Sequence, residues 1–197
     1  MPSSNKCPMV RRRNGAIFSA FAVLVVALLC AGVTAGVHHG LAGAFEQSDL
    51  ALDEAKGGAQ RKLLFPDATS FESQSAPAVE GLNSVYKADT GAWVFDVTSA
   101  QGYHGDVELM VGINADGTVA GIQVVAEDET DGIGTNAFTE EYFGGFAGSP
   151  ATGELTVDEA GAGQTHVDAV SGATFTSRAV VDCLNIAFAA YAQMGGN

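Results

Sequence analysis

The apolar positions of this chain follow three different periods. Ala16 to Val37 reads AIFSAFAVLVVALLCAGVTAGV, 22 residues without a charge. As a helix rising about 1.5 Å per residue it would span ~33 Å, enough to cross a bilayer core of about 30 Å. From Leu82 the pattern alternates. Leu82 to Ala88 and Ala92 to Thr98 predict two strands about the turn Asp89-Thr90-Gly91, the second carrying Trp93, Phe95 and Val97 on one face. Asp106 to Ile113 and Thr118 to Glu127 predict a second pair about Asn114-Ala115-Asp116-Gly117, where Asp-Gly is a strong hairpin turn. At the end, Ala179, Val180, Cys183, Ile186, Ala187, Ala190 and Tyr191 recur at helical steps and Gly195-Gly196 stops them.

Between these segments the pattern is weaker. His38 to Gln60 is small and charged with scattered apolar points, which predicts a stalk or frayed helix interrupted at Gly57-Gly58. Arg61 to Ala68 predicts a short helix ended by Pro66, because the residue before a proline is pushed out of the helical region. Ser70 to Gly81 is polar and predicts a surface loop. Asn136 to Phe146 predicts a helix capped by Thr135 or Asn136. Glu154 to Ala160 predicts a short helix or strand, and Thr165 to Asp168 a brief strand. The fold class that follows is α+β: an N-terminal transmembrane helix, then a small domain with an antiparallel or mixed sheet flanked by helices.

Charge orients the apolar run. Lys6, Arg11, Arg12 and Arg13 precede it, and no acidic residue occurs before Glu46. The positive-inside rule puts residues 1–15 in the cytoplasm, the span at 16–37 in the cytoplasmic membrane and the remainder on its outer face. A cleaved signal peptide, with Val33-Thr34-Ala35 as its small-residue site, is the competing reading; the length of the run favours the anchor. The formal charge of the chain is −14, and without those four cations the rest holds 5 basic against 23 acidic residues. Nucleic acid is excluded as a partner, since phosphate contacts need clustered Lys and Arg. Cys7, Cys30 and Cys183 are too dispersed across the predicted compartments for a disulfide framework, and no C-x-x-C spacing offers a metal or haem site.

Two stretches carry chemistry. Asp168-Ala169-Val170-Ser171-Gly172-Ala173-Thr174 is followed by Phe175-Thr176-Ser177 and opens directly into the C-terminal helix. Small residues let backbone approach a phosphate, hydroxyls cluster beside it, and a helix start presents free N–H groups and a positive dipole end. On residues alone the same stretch also reads as a helix entry with Ser171, Thr174 or Thr176 as a cap. Upstream, Glu127 to Asn136 reads EDETDGIGTN. Its glycines suit close approach to a flat ligand edge, Ile133 offers an apolar contact, and Glu129 or Thr130 could bond polar ligand groups. Its bland alternative is an acidic surface loop.

The first stretch resembles the flavinylation motif of the FMN-binding domains of ion-translocating respiratory complexes: Asp, two variable residues, Ser or Thr, Gly, Ala, Thr. Asp168, Ser171, Gly172, Ala173 and Thr174 match it. The resemblance implies FMN bound covalently to Thr174 as a phosphoester made by a separate flavin transferase. Ser171, Gly172, Ala173, Thr176 and Ser177 would then seat the phosphate, and Asp168 would serve transferase recognition or shape the loop. The second stretch is similar to that family's Glu-Thr-Pro-Gly-Leu-Gly loop against the isoalloxazine ring, which implies ring contacts for Glu129, Thr130, Gly132, Ile133 and Gly134. Asp131 stands where Pro is usual, which is expected to loosen the loop and lower the flavin's potential. Phe65-Pro66-Asp67-Ala68 and Gly102-Tyr103-His104-Gly105 also match features of the family.

Within it, the compact spacing is most similar to the G subunit of the Rnf complexes, with the C subunit of the sodium-pumping NADH:quinone oxidoreductase sharing domain and motif. The implied organisation is a cytoplasmic N-terminus at 1–15, a transmembrane helix at 16–37, a linker or stalk helix at 38–60 and an extracytoplasmic FMN-binding domain at 61–197. The implied function is electron transfer inside a multisubunit ion-translocating ferredoxin:NAD oxidoreductase, with the other membrane components of that complex as partners and no catalysis by this chain alone. Another exported flavin reductase and a non-redox binding or assembly module are the alternatives.

Overall fold

The computed structural model describes residues 57–195. The expected N-terminus at 1–15, the span at 16–37 and the stalk up to 56 lie outside the described residues. Among the described residues no helix is long and apolar enough to cross a membrane. What is described is a small α+β domain. Helix α1 (Ala59–Leu64) leads into strand β1 (Phe71–Gln74) and then β2 (Leu82–Ala88), β3 (Trp93–Ser99), β4 (Val107–Ile113) and β5 (Val119–Ala126). These five pair in chain order, every neighbour antiparallel. A short 3-10 segment (Gly134–Phe138), helix α2 (Glu140–Gly144) and strands β6 (Glu154–Thr156) and β7 (Gln164–His166) follow, and helix α3 (Thr174–Gln193) closes the domain. The only parallel pairing among the described strands joins β6 to β7, apart from the main sheet.

Both hairpins form where alternation and turn residues predict them. Asn114 N–H bonds to the Thr118 carbonyl at 2.8 Å, and the Asp116 carboxylate accepts the Thr118 amide at 3.0 Å and its hydroxyl at 2.7 Å. That carboxylate is spent on holding the turn. The sheet's two faces are covered unequally. Phe95, Val97, Leu109, Val111 and Ile113 point toward α3 and are fully buried with its Val180, Leu184 and Ala187. Each such large side chain contributes ~1.5–3 kcal/mol on leaving water. Phe95 and Tyr191 meet edge to face at 6.2 Å. Cys183 lies in this layer, and burial pushes its thiol pKa up, so it acts as packing. On the opposite face α1 packs over a smaller cluster of Tyr86, Val94 and Met110, with the Arg61 guanidinium 4.0 Å from the Tyr86 ring centroid.

Two expectations need correcting. The polar stretch from Ser70 contains β1: Phe71 pairs with Ala88 and packs on it, while Glu72 and Ser73 stay exposed, as an edge strand permits. The helix expected over Asn136–Phe146 is broken at Thr139, whose backbone is extended (φ −79°, ψ 150°) and whose hydroxyl accepts the Tyr142 amide at 3.3 Å. Thr139 followed by two glutamates is a better helix start than Asn136, whose side-chain amide donates to the Gly132 carbonyl at 3.0 Å instead.

The less covered face carries a polar group of its own. The Asn83 amide donates to Asp96 Oδ1 at 3.2 Å, Thr98 Oγ1 at 2.8 Å and Glu108 Oε1 at 3.5 Å. Partial burial, and then the Asp96 carboxylate beside it, raise the Glu108 pKa above the usual range. A carboxyl raised in the folded state favours folding below its unfolded pKa and loses that contribution as pH climbs through the folded value. Glu108→Gln cannot ionise, so its thermal midpoint is expected to exceed wild type at pH 7 and to match it in acid. Equal midpoints at neutral pH would refute this.

Candidate functional site

The Glu129 loop is closed by its own backbone. The Thr130 carbonyl accepts the amides of Ile133 at 3.1 Å and Gly134 at 2.9 Å, and Gly132 N–H donates to the Thr135 hydroxyl at 2.9 Å. No side-chain bond of Asp131 takes part. The turn expected to be loosened by Asp in place of Pro is closed by these backbone and hydroxyl bonds.

Glu129 is buried, and beside lining a cavity it has structural partners that the sequence did not indicate. Its Oε1 accepts the backbone amides of Tyr103 at 2.6 Å and His104 at 3.3 Å, and its Oε2 accepts the Thr176 hydroxyl at 2.7 Å. One side chain thus joins the loop before β4, the loop after β5 and the first turn of α3. Two glycines make room for it. A Cβ on Gly134 would lie 2.5 Å from Oε2, and one on Gly102 would lie 2.7 Å from Oε1.

The start of α3 sorts its hydroxyls. Ala173 precedes the helix, and no side chain caps it, which removes the reading of this stretch as an ordinary capped entry. Thr176 is committed to Glu129, and Ser177 accepts the Val170 amide at 3.0 Å from a fully buried position. Thr174 is exposed, and its hydroxyl bonds to nothing among the described residues. The helix carries no acidic residue of its own in its first turn; the carboxylate nearest its start is Glu129, bonded to Thr176. Gly172 has φ +82° with open space where a Cβ would point, a conformation that only glycine adopts without strain.

These parts enclose a cavity of about 570 Å³ lined by Glu129, Thr130, Ile133, Gly134, Gly172, Ala173, Thr174 and Thr176, together with Tyr103, His104 and Phe175. The two stretches singled out in the sequence therefore meet in space. Four expected site residues fall outside that lining. Asp168 is exposed with His166 Nε2 at 3.5 Å, Ser171 is exposed, and Ser177 faces inward. Gly132 also stands outside it, at the outer bend of its loop.

Tyr103, His104 and Phe175 were not expected as site residues. Tyr103, Ile133 and Phe175 are 63%, 55% and 53% exposed, and all three border this cavity. The Tyr103 and Phe175 ring centroids lie 5.9 Å apart, tilted by 46°, at its border. A signal existed, since Tyr103 lies in the glycine-rich turn before β4 and Phe175 directly follows Thr174, but their convergence is a property of the fold. Exposed aromatic and apolar side chains border the cavity, and its lining also holds the Gly172–Ala173 backbone and the hydroxyls of Thr130 and Thr174, a combination that suits a flat aromatic ligand bearing an anionic tail.

Comparison with known proteins agrees with that chemistry. The FMN-binding domain model matches residues 102–189. The G subunit of the Na(+)-translocating ferredoxin:NAD(+) oxidoreductase complex of Acetobacterium woodii is 27% identical over 87% of this chain and 89% of its own length. The G subunit of the proton-translocating ferredoxin:NAD(+) oxidoreductase complex of Clostridium ljungdahlii is 34% identical over 60% and 63%. Its counterpart in the ion-translocating oxidoreductase complex of Pseudoalteromonas atlantica is 31% identical over 87% of this chain and 84% of that one. The chain belongs to the family of FMN-binding G subunits of ion-translocating oxidoreductase complexes.

Proposed function

We propose that this chain is the membrane-anchored electron-transfer subunit of an ion-translocating ferredoxin:NAD oxidoreductase, carrying FMN bound covalently through Thr174. The observation that supports it most is the sorting of hydroxyls at the start of α3: Thr176 and Ser177 are engaged, and Thr174 stands free at the N-terminal end of the helix, in the lining of the cavity. When bound, FMN supplies the redox chemistry. The protein's part is to hold and tune it. The first-turn amides of α3 would balance the phosphate, Gly172 would let backbone close on it, and Thr174 would keep the cofactor from dissociating. Tyr103, Phe175 and Ile133 would cover the ring. Asp168, exposed and outside the cavity, fits a role in recognition by the transferase.

In this reading residues 16–37 anchor the chain, residues 38–60 form the stalk, and the domain from 61 onward works on the outer face beside the other membrane components of the complex. The test is a denaturing gel of protein made with and without active flavin transferase. Fluorescence should comigrate with the polypeptide only in the first case, and a dark band there would remove the covalent reading. Asp131 remains a negative charge on the loop beside the cavity, so Asp131→Pro is expected to raise the flavin's midpoint potential slightly. A redox titration returning an unchanged or lower potential would count against that.

A further inference from the structure

Glu129 is the point where three separate segments are tied. Its carboxylate accepts two backbone amides from the loop carrying Tyr103 and one hydroxyl from the turn carrying Thr174, and every one of these partners donates. Such an arrangement is satisfied by an ionised carboxylate. The lack of a Cβ at both Gly102 and Gly134 leaves its oxygens the space they fill. The carboxylate is also part of the cavity lining, and it is 9% exposed whereas Asp131 is exposed.

We infer that Glu129 is a positioning residue with two separable actions: its hydrogen bonds hold the Tyr103 loop against the start of α3, and its buried negative charge lowers the potential of the flavin seated beside it. The second action rests on the function proposed above; the first does not. A buried charge is screened by solvent far less than an exposed one, so Glu129 should outweigh Asp131 in setting the potential.

Glutamine separates the two actions. In Glu129→Gln the amide oxygen still accepts the Tyr103 and His104 amides, and its NH₂ donates to a rotated Thr176 hydroxyl, but the charge is gone. Glu129→Ala removes both. Hydrogen exchange of the full chain made without transferase reports the brace alone. Exchange in peptides spanning Tyr103 and His104 should accelerate at least about tenfold in the alanine variant and stay within about twofold of wild type in the glutamine variant. In flavin-loaded protein, the glutamine variant should show a higher midpoint potential than wild type, by more than Asp131→Pro does.

Unchanged exchange in Glu129→Ala overturns the brace, and a wild-type potential in Glu129→Gln overturns the charge effect. If the alanine variant does not fold, accelerated exchange in the glutamine variant would itself contradict the brace, since that variant retains every bond. A wild-type protein that takes no flavin from active transferase would overturn the functional reading and the charge effect with it, while the exchange result would still decide the brace.

Discussion

Thr174→Ala is expected to abolish the fluorescent band of the transferase-treated protein while leaving the fold intact. The residue is exposed at the first position of α3, its side chain bonds to no described residue, and the helix is not capped by it. A surface change of that kind shifts stability by no more than ~0.5 kcal/mol. Loss of label would thus report the lost acceptor oxygen and not a lost structure, which circular dichroism and an unchanged thermal midpoint would verify. Thr174→Ser restores a primary hydroxyl at the same place and should recover part of the label. Thr176→Val is the control that separates neighbouring hydroxyls. It removes a group already donated to Glu129, so it should lower stability yet still take the flavin at Thr174. Label persisting in Thr174→Ala, or vanishing in Thr176→Val alone, would move the attachment point elsewhere in the turn.

The elements written in local pattern were legible in the sequence alone. Asp116-Gly117 between alternating residues can be little other than a hairpin, and the three- and four-residue recurrence after Ala179 can bury itself only as a helix. Local pattern failed where a neighbour decided the outcome. β1 exists because Phe71 finds Ala88 and a cluster under α1, a partnership invisible in the polar run FESQ. The break at Thr139 was a contest between two adequate cap residues, and Asn136 lost it by donating elsewhere.

The candidate site divides in the same way. Its two loops were legible because each carries a motif, and the fold brings them to one cavity. The job of Glu129 was not. Its partners lie far away on both sides in sequence, and a carboxylate aimed at backbone amides leaves no mark in composition. Tyr103 and Phe175 went unassigned for the same reason, since an aromatic becomes a lid only when the fold brings a second one to face it.

Gly102→Ala is the change expected to unseat the ligand without untethering it. The new methyl would stand 2.2 Å from the Gly105 carbonyl oxygen, 2.7 Å from Glu129 Oε1 and 3.0 Å from Val107 Cγ2. The first neighbour is backbone of the same tight turn, so the loop must open, and the second is the oxygen that accepts the Tyr103 amide. Overpacking of this kind costs about 1–3 kcal/mol, and here the strain falls on the segment that carries Tyr103 over the cavity. Thr174 lies on a different element, so the gel should still show a labelled band. The attached flavin should nevertheless lose orientation, which lowers its fluorescence anisotropy and moves its potential toward that of free FMN. Gly105→Ala provides the contrast, because nothing lies within 4 Å of its added carbon. It alters the same turn without crowding Glu129 and should match wild type in label, anisotropy and potential. If Gly102→Ala and Gly105→Ala behave alike, the Tyr103 loop does not seat the ring, and the cavity between the two motifs would have to be held by Phe175 and Ile133 alone.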